Sequence, residues 1–307
     1  MKLKRVAISV GDLNGIGLEL ILKNHSIISE KVKPLYIVDR EMVRRGAELL
    51  ELNIPKDFEI VEGIGELFDI QPGEVSKESG VYSYNSFKNG VEIVKRGEAD
   101  ALFTLPINKE SWSLGGIEYK GHTDALRDFF KRDAIMLMGI PKMFVALFTE
   151  HIPYNQVPQM VSKDSISDFL LTLYRYFPKV ERVAVLGLNP HAGDNGVLGS
   201  DEVEIEEGVE KANREIGRNI FSKPVVPDIA FTPLMRERYN LYVAMYHDQG
   251  LAPLKALYFH KVINISLNLP ITRVSVGHGT AFDIAYKQDR ELDSRSYLNG
   301  IEFIAQS

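Results

Sequence analysis

Short apolar runs, many of them β-branched, alternate with longer segments of helical period along the chain. This alternation restricts the fold more than any other feature. Arg5 to Val10, Pro34 to Val38, Ala101 to Leu105, Met143 to Thr149, Arg182 to Leu188, Leu241 to Tyr246 and Lys261 to Leu267 read as strands. Most are apolar at consecutive positions rather than at every second one, as expected of parallel strands covered by helices on both faces. The segments between them supply the crossovers. Ile166, Phe169, Leu170, Leu173 and Phe177 recur at three- and four-residue spacing and Pro178 follows, which predicts one helix. A second is predicted from Asp201 to Ile216, with acidic residues in its first turns, where the helix dipole favours them, and Gly217 at its end. The class is α/β.

At roughly 100–200 residues per domain, a chain of 307 residues is expected to form about two domains with a cleft between them. No repeat, low-complexity tract or linker marks the boundary. Lys and Arg total 36 against 42 for Asp and Glu, a formal charge of −6, which leaves no basic excess for a nucleic-acid partner. The absence of cysteine excludes disulfides, Cys-type zinc sites and a thiol nucleophile, and fits a reducing compartment. The basic start, Met1-Lys2-Leu3-Lys4-Arg5, leads into an apolar run that breaks at Gly11-Asp12, too early for a signal peptide. No stretch approaches the roughly 18 apolar residues of a membrane helix. A soluble, cytoplasmic protein with no membrane partner is expected.

The first loop, Gly11-Asp12-Leu13-Asn14-Gly15-Ile16-Gly17, joins a strand to a helix. Its spacing is neither Gly-x-Gly-x-x-Gly nor that of a P-loop. Two readings stay open: backbone N–H groups that hold an anion, or a tight turn that needs small residues.

The histidines are more informative. The strands beginning at Met143, Arg182 and Leu241 run into His151, His191 and His247 respectively. Ligands of open α/β sheets bind outside the carboxyl ends of the strands, so these imidazoles can converge on one divalent ion, although each alone also suits a structural role. His191 lies in the Gly- and Asn-Pro-shaped loop Gly187 to Gly196. Asp248, after His247, can orient an imidazole, act as a base or cap a turn. Lys255, Asn264 and Arg273 follow in apolar surroundings and suit a phosphate or carboxylate, unless the charged heads snorkel to water. Gly121-His122-Thr123 and His278-Gly279-Thr280 are small polar clusters before helical segments, where capping is the plainer reading.

Taken in order, Gly15-Ile16-Gly17, Gly121-His122-Thr123, Gly187-Leu188-Asn189-Pro190-His191-Ala192-Gly193, Met245-Tyr246-His247-Asp248-Gln249-Gly250 and His278-Gly279-Thr280-Ala281 form a series. In this the chain resembles the 4-hydroxythreonine-4-phosphate dehydrogenase family of pyridoxal phosphate biosynthesis, nearly end to end. The resemblance implies two α/β/α domains with a cleft, similar to the isocitrate and isopropylmalate dehydrogenases. The expected partition is 1–121 plus 269–307, and 122–268 with the metal ligands and dimer interface. The implied reaction is NAD- or NADP-dependent oxidation of 4-phosphooxy-L-threonine, with decarboxylation to 3-amino-2-oxopropyl phosphate. The family's metal ligands, for zinc, magnesium or cobalt, fall on His151, His191 and His247, and its substrate contacts on His122, Thr123, Lys255, Asn264 and Arg273. Family members are homodimers whose active site is shared between subunits. Asp248 and Lys255 are candidates for proton transfer by position, with Lys255 favoured as a phosphate ligand.

The chain departs from the family pattern at a few positions. Leu105 and Tyr286 stand where glycine is usual, Gly277 where aspartate is common, and Asp124 and Asp194 where glutamate is usual. The rival readings are a paralogue that oxidises a threonate or erythronate 4-phosphate, a metal-dependent hydrolase and a non-catalytic phosphate-binding protein.

Overall fold

The computed structural model describes residues 3–307. The described strands are β1 (Arg5–Ser9), β2 (Lys33–Ile37), β3 (Ile60–Val61), β4 (Ala101–Thr104), β5 (Ile135–Ile140), β6 (Met143–Leu147), β7 (Ala184–Val185), β8 (Leu241–Ala244), β9 (Ile263–Leu267) and β10 (Arg273–Val276). The α-helices are α1 (Gly17–Ser29), α2 (Arg40–Leu50), α3 (Lys77–Lys95), α4 (Lys109–Leu114), α5 (His122–Phe130), α6 (Val157–Met160), α7 (Lys163–Tyr176), α8 (Asp201–Ile216), α9 (Pro233–Arg238), α10 (His247–Tyr258) and α11 (Arg295–Gln306). Among the described residues no helix is long and apolar enough to cross a membrane.

The chain divides into two compact units. The first comprises the residues up to Ala134 and those from Ile263 to Ser307, and the second is Ile135–Val262. Relative to the expected partition, α5 and β9 thus lie in the first unit. β9 belongs there because its backbone pairs with β10, which in turn pairs with β4.

In the first unit the strand order is β3-β2-β1-β4-β10-β9, parallel except for β9 against β10. Val6, Ala7, Ile8, Leu102 and Phe103 are fully buried, as the unbroken apolar runs require. α11 covers one face of this sheet, where Gly300 lets the helix settle onto Phe103 and Val274. α3 and α4 pack at an equally small residue, since a Cβ at Gly80 would run into the Ser111 carbonyl.

In the second unit the order is β5-β6-β8-β7, with β5 antiparallel to β6 and the rest parallel. Its core joins Met143, Val145, Leu147, Tyr242 and Ala244 to Leu251 and Leu254 of α10. α7 buries Ile166, Leu170 and Leu173 as its periodicity predicts, and begins with a reciprocal capping box between Ser162 and Ser165. α8 ends at Gly217 in the left-handed conformation expected of such a cap. The expected strand from Arg182 to Leu188 shortens to Ala184–Val185, because Val183 and Leu186 bridge instead to Phe221 and Val225.

Candidate active site

The first loop is a tight turn. The Asp12 N–H donates to the Pro106 carbonyl at 2.8 Å, the Gly15 N–H to Asp12 O at 3.0 Å and the Ile16 N–H to Thr280 O at 3.1 Å, while the Asn14 N–H is taken by Asp12 Oδ1. These four donors are committed to the chain's own oxygens and are not available to an anion, which supports the turn reading. Gly11 sits at φ +72° directly against the Leu105–Pro106 backbone, a place with no room for a Cβ. Asp12 is buried and hydrogen-bonded by Ser79, and burial raises its carboxyl pKa. Tyr286, where glycine was expected, takes φ +59° itself and donates its hydroxyl to Leu13 O at 2.7 Å, tying the late segment to this turn.

The polar cluster of the first unit is set by register. Ser9, the last residue of β1, is level with Thr104, the last of β4; Thr104 is level with Ser275 of β10, and Ser275 with Asn264 of β9. Side chains alternate along a strand, so these four form one row on the sheet face opposite Val274 and α11, at the carboxyl ends of β1 and β4. Arg273, paired with Ser266, lies one row behind on the same face. Its guanidinium is 2% exposed; Nη2 and Nε donate to Thr104 Oγ1 at 2.6 and 3.2 Å, and Nη1 donates to Ser266 Oγ at 3.1 Å. Among the described residues no carboxylate pairs with it, and burial pushes its pKa down to about 9.

His122, the first residue of α5, stands edge-on between Phe87 and Trp112, with ring centroids at 4.7 and 5.4 Å. Burial and then the nearby Arg273 charge hold its pKa well below 6.5, so the ring is neutral. His122 Nε2 and Asn264 Oδ1 are shielded from solvent and have no hydrogen-bond partner among the described residues. Thr123 is half-buried in the first turn of the same helix. The structure therefore brings His122 and Arg273 together, and Asn264 shares the Arg273 face. Thr104, Ser266, Ser275 and Ser9 are not singled out by the sequence reading; for Ser9 and Thr104 the available signal is a hydroxyl side chain that closes an otherwise apolar strand, and Ser266 and Ser275 lie inside theirs.

In the second unit β6 ends at Leu147 and β8 at Ala244, adjacent parallel strands, and each is followed by a short connection to a histidine. The rings of His151 and His247 lie 5.5 Å apart, centroid to centroid. His247 Nδ1 is 2.8 Å from Asp248 Oδ1, and His151 Nδ1 is 3.9 Å from Glu150 Oε2. The Asp248 carboxylate within hydrogen-bond distance of His247 Nδ1 favours the tautomer that leaves the His247 Nε2 lone pair for a metal, and with His151 beside it the pair fits two ligands of a divalent cation. Gln249 joins the neighbouring loops, accepting from the Met245 N–H at 2.8 Å and donating to Gly187 O at 2.7 Å.

His191 is placed differently. Its side chain is exposed, and its backbone opens five successive left-handed residues, His191 to Asn195, with φ of 53°, 51°, 76°, 44° and 55°. Left-handed backbone costs roughly 1–2 kcal/mol for each non-glycine residue, so this turn stores strain. Among the described residues no three His, Asp or Glu side chains of the chain group closely enough to hold a metal. Lys255 is half-buried on α10, eight residues beyond His247 and so about 12 Å further along the helix axis. Asp248 is 86% exposed.

The fold and these two clusters define an α/β protein with a buried cation beside neutral polar groups and a separate pair of metal-competent imidazoles. The family model of pyridoxal phosphate biosynthetic protein PdxA matches residues 30–304, and the chain belongs to that family. It is 53% identical over 298 residues to a curated relative from Sulfurimonas denitrificans named 4-hydroxythreonine-4-phosphate dehydrogenase, covering 97% of this chain and 96% of that one. The crystal structure of 4-hydroxythreonine-4-phosphate dehydrogenase from Klebsiella pneumoniae superimposes with a TM-score of 0.81 at 31% identity, covering 99% of this chain and 98% of the other. Isocitrate dehydrogenase from Methylococcus capsulatus, at 10% identity and a TM-score of 0.50 over 99% of this chain and 85% of the other, shares the fold expected from the sequence.

Proposed function

We propose that this chain is a 4-hydroxythreonine-4-phosphate dehydrogenase, which oxidises 4-phosphooxy-L-threonine with NAD or NADP and releases carbon dioxide to give 3-amino-2-oxopropyl phosphate. A bound nicotinamide nucleotide would supply the hydride acceptor for the hydroxyl-bearing carbon; the hydroxyl proton goes to a base, and the carbon left by carbon dioxide takes up a proton. The family membership supports the reaction, and the observation that carries the substrate class is Arg273. A buried guanidinium that among the described residues is held by hydroxyl oxygens alone is an uncompensated charge, and an anionic substrate group would supply the missing counter-charge. Asn264 and His122 offer further unsatisfied atoms, and neutral His122 binds without adding charge. Thr123 and Lys255 complete the proposed substrate contacts, with Lys255 as a phosphate ligand; Asp248 remains the candidate for proton transfer.

His151 and His247 would hold the divalent cation, zinc, magnesium or cobalt, with His191 supplied by the second copy in a homodimer whose site is shared. Such a cation supplies acidity to the substrate hydroxyl and charge stabilisation during decarboxylation. The cytoplasm is the proposed compartment, since a chain without cysteine forms no disulfide that would call for an oxidising one. Steady-state turnover tests the reading. Reduced nicotinamide and carbon dioxide should form together from 4-phosphooxy-L-threonine, and much more slowly from threonate or erythronate 4-phosphate. Preference for a deaminated substrate would overturn the assignment.

A further inference from the structure

We propose that Glu202 is a positioning residue that fixes the loop presenting His191; this deepens, and rests on, the reading of His191 as a metal ligand. Glu202 is the second residue of α8, and a carboxylate there serves the helix dipole without needing any particular partner. It is instead 9% exposed and turned onto the chain before the helix. Its Oε1 accepts the Leu188 N–H at 2.9 Å and the Asn189 N–H at 2.7 Å, and its Oε2 accepts Asn189 Nδ2 at 2.9 Å. Asn189 Nδ2 also donates to Asp201 Oδ2 at 2.9 Å, which fixes the orientation of the amide.

The far side of the loop closes on the same group. A Cβ on Gly193 would meet Glu202 Oε2 at 2.6 Å, and one on Gly199 would meet Asn189 Oδ1 at 2.8 Å. The carboxylate thus touches the segment just before His191 and lies under the segment just after it. The five left-handed residues begin two positions after Asn189 and carry Gly193 at their centre, a conformation that L-residues abandon unless the surroundings hold it. The direction of the His191 imidazole is therefore set by a residue that makes no contact with the metal. Charge and shape are both required. In Glu202→Gln one acceptor becomes a donor facing Asn189 Nδ2, and the Asn189 amide cannot turn to meet it without setting its oxygen against Asp201.

The test is cobalt(II) titration of the purified protein, followed by its visible absorption, together with amide hydrogen exchange and thermal unfolding, for the wild type, Glu202→Gln and His191→Ala. We expect His191→Ala and Glu202→Gln both to weaken cobalt binding, Glu202→Gln by about 10–100-fold. In Glu202→Gln, exchange at Leu188 and Asn189 should quicken while the unfolding temperature and the Michaelis constant for the nicotinamide nucleotide stay close to wild type. If His191→Ala weakens cobalt binding and Glu202→Gln does not, the positioning role is wrong and the metal reading stands. If His191→Ala also leaves binding unchanged, the metal reading is wrong and the proposal falls with it. Should Glu202→Gln not fold, Asn189→Ala removes only the side-chain arm of the clamp; a loss of about tenfold in cobalt affinity supports the role, and wild-type affinity overturns it.

Discussion

The imidazoles of His151 and His247 face each other at 5.5 Å within one chain, on the connections that follow adjacent parallel strands β6 and β8. Asp248 Oδ1 lies 2.8 Å from His247 Nδ1, and the Glu150 carboxylate approaches His151 Nδ1 to 3.9 Å. This pairing decides which subunits can complement each other. Both imidazoles lie in one chain; if the partner subunit supplies His191, as proposed, mixing His191→Ala with His247→Ala should build one intact site in each mixed dimer. Random pairing then restores about a quarter of wild-type activity. Mixing His151→Ala with His247→Ala should restore none. Mixed dimers of the first kind, present by sedimentation and inactive, would refute the shared site.

Arg273 should trade stability for binding. Its charge is buried among Thr104 and Ser266 without a carboxylate, so Arg273→Met is expected to stabilise the ligand-free protein by about 1–3 kcal/mol. Inorganic phosphate should raise the unfolding temperature of the wild type and leave the variant unmoved. Equal phosphate shifts in both proteins would remove Arg273 from the anion site.

His122 gives stability a pH dependence of defined sign. Its folded pKa lies well below the ordinary 6.5, so below that pH the unfolded chain takes up a proton that the folded chain refuses. Stability contributed by His122 is therefore complete above 6.5 and is lost as the pH falls toward the folded pKa, at up to about 1.4 kcal/mol per pH unit. Denaturant unfolding of the wild type and His122→Gln between these limits checks this. Parallel curves for the two proteins would contradict it.

Gly80 should tolerate no side chain. An added Cβ would lie against the Ser111 carbonyl where α3 meets α4, and backbone does not move aside cheaply. Gly80→Ala is expected to cost at least about 1–3 kcal/mol by equilibrium unfolding, whereas Gly97→Ala meets no neighbouring atom and pays only the cost of its φ of +72°.

The sequence made α7, α8 and the buried parallel strands legible because periodicity and helix ends are local signals. β5 went unread: Ile135–Ile140 is rich in methionine, which has no β-branch, and its strand character comes from pairing with β6. β10 was hidden for a related reason, since Arg273 and Ser275 interrupt its apolar run and only the register with β4 and β9 gives them a common face. The same limit applied to the site. His151, His247 and Arg273 announce themselves by residue type and place, but Thr104 braces Arg273 across 169 positions of sequence, and that relationship exists only once β4 and β10 pair.

Calorimetric titration of the metal-free protein with zinc, comparing wild type with His247→Ala, tests the central claim most directly. One ion should bind per chain in the wild type, with binding about a hundredfold weaker in the variant and dehydrogenase turnover lost in parallel. Unchanged zinc affinity and stoichiometry in His247→Ala would contradict it.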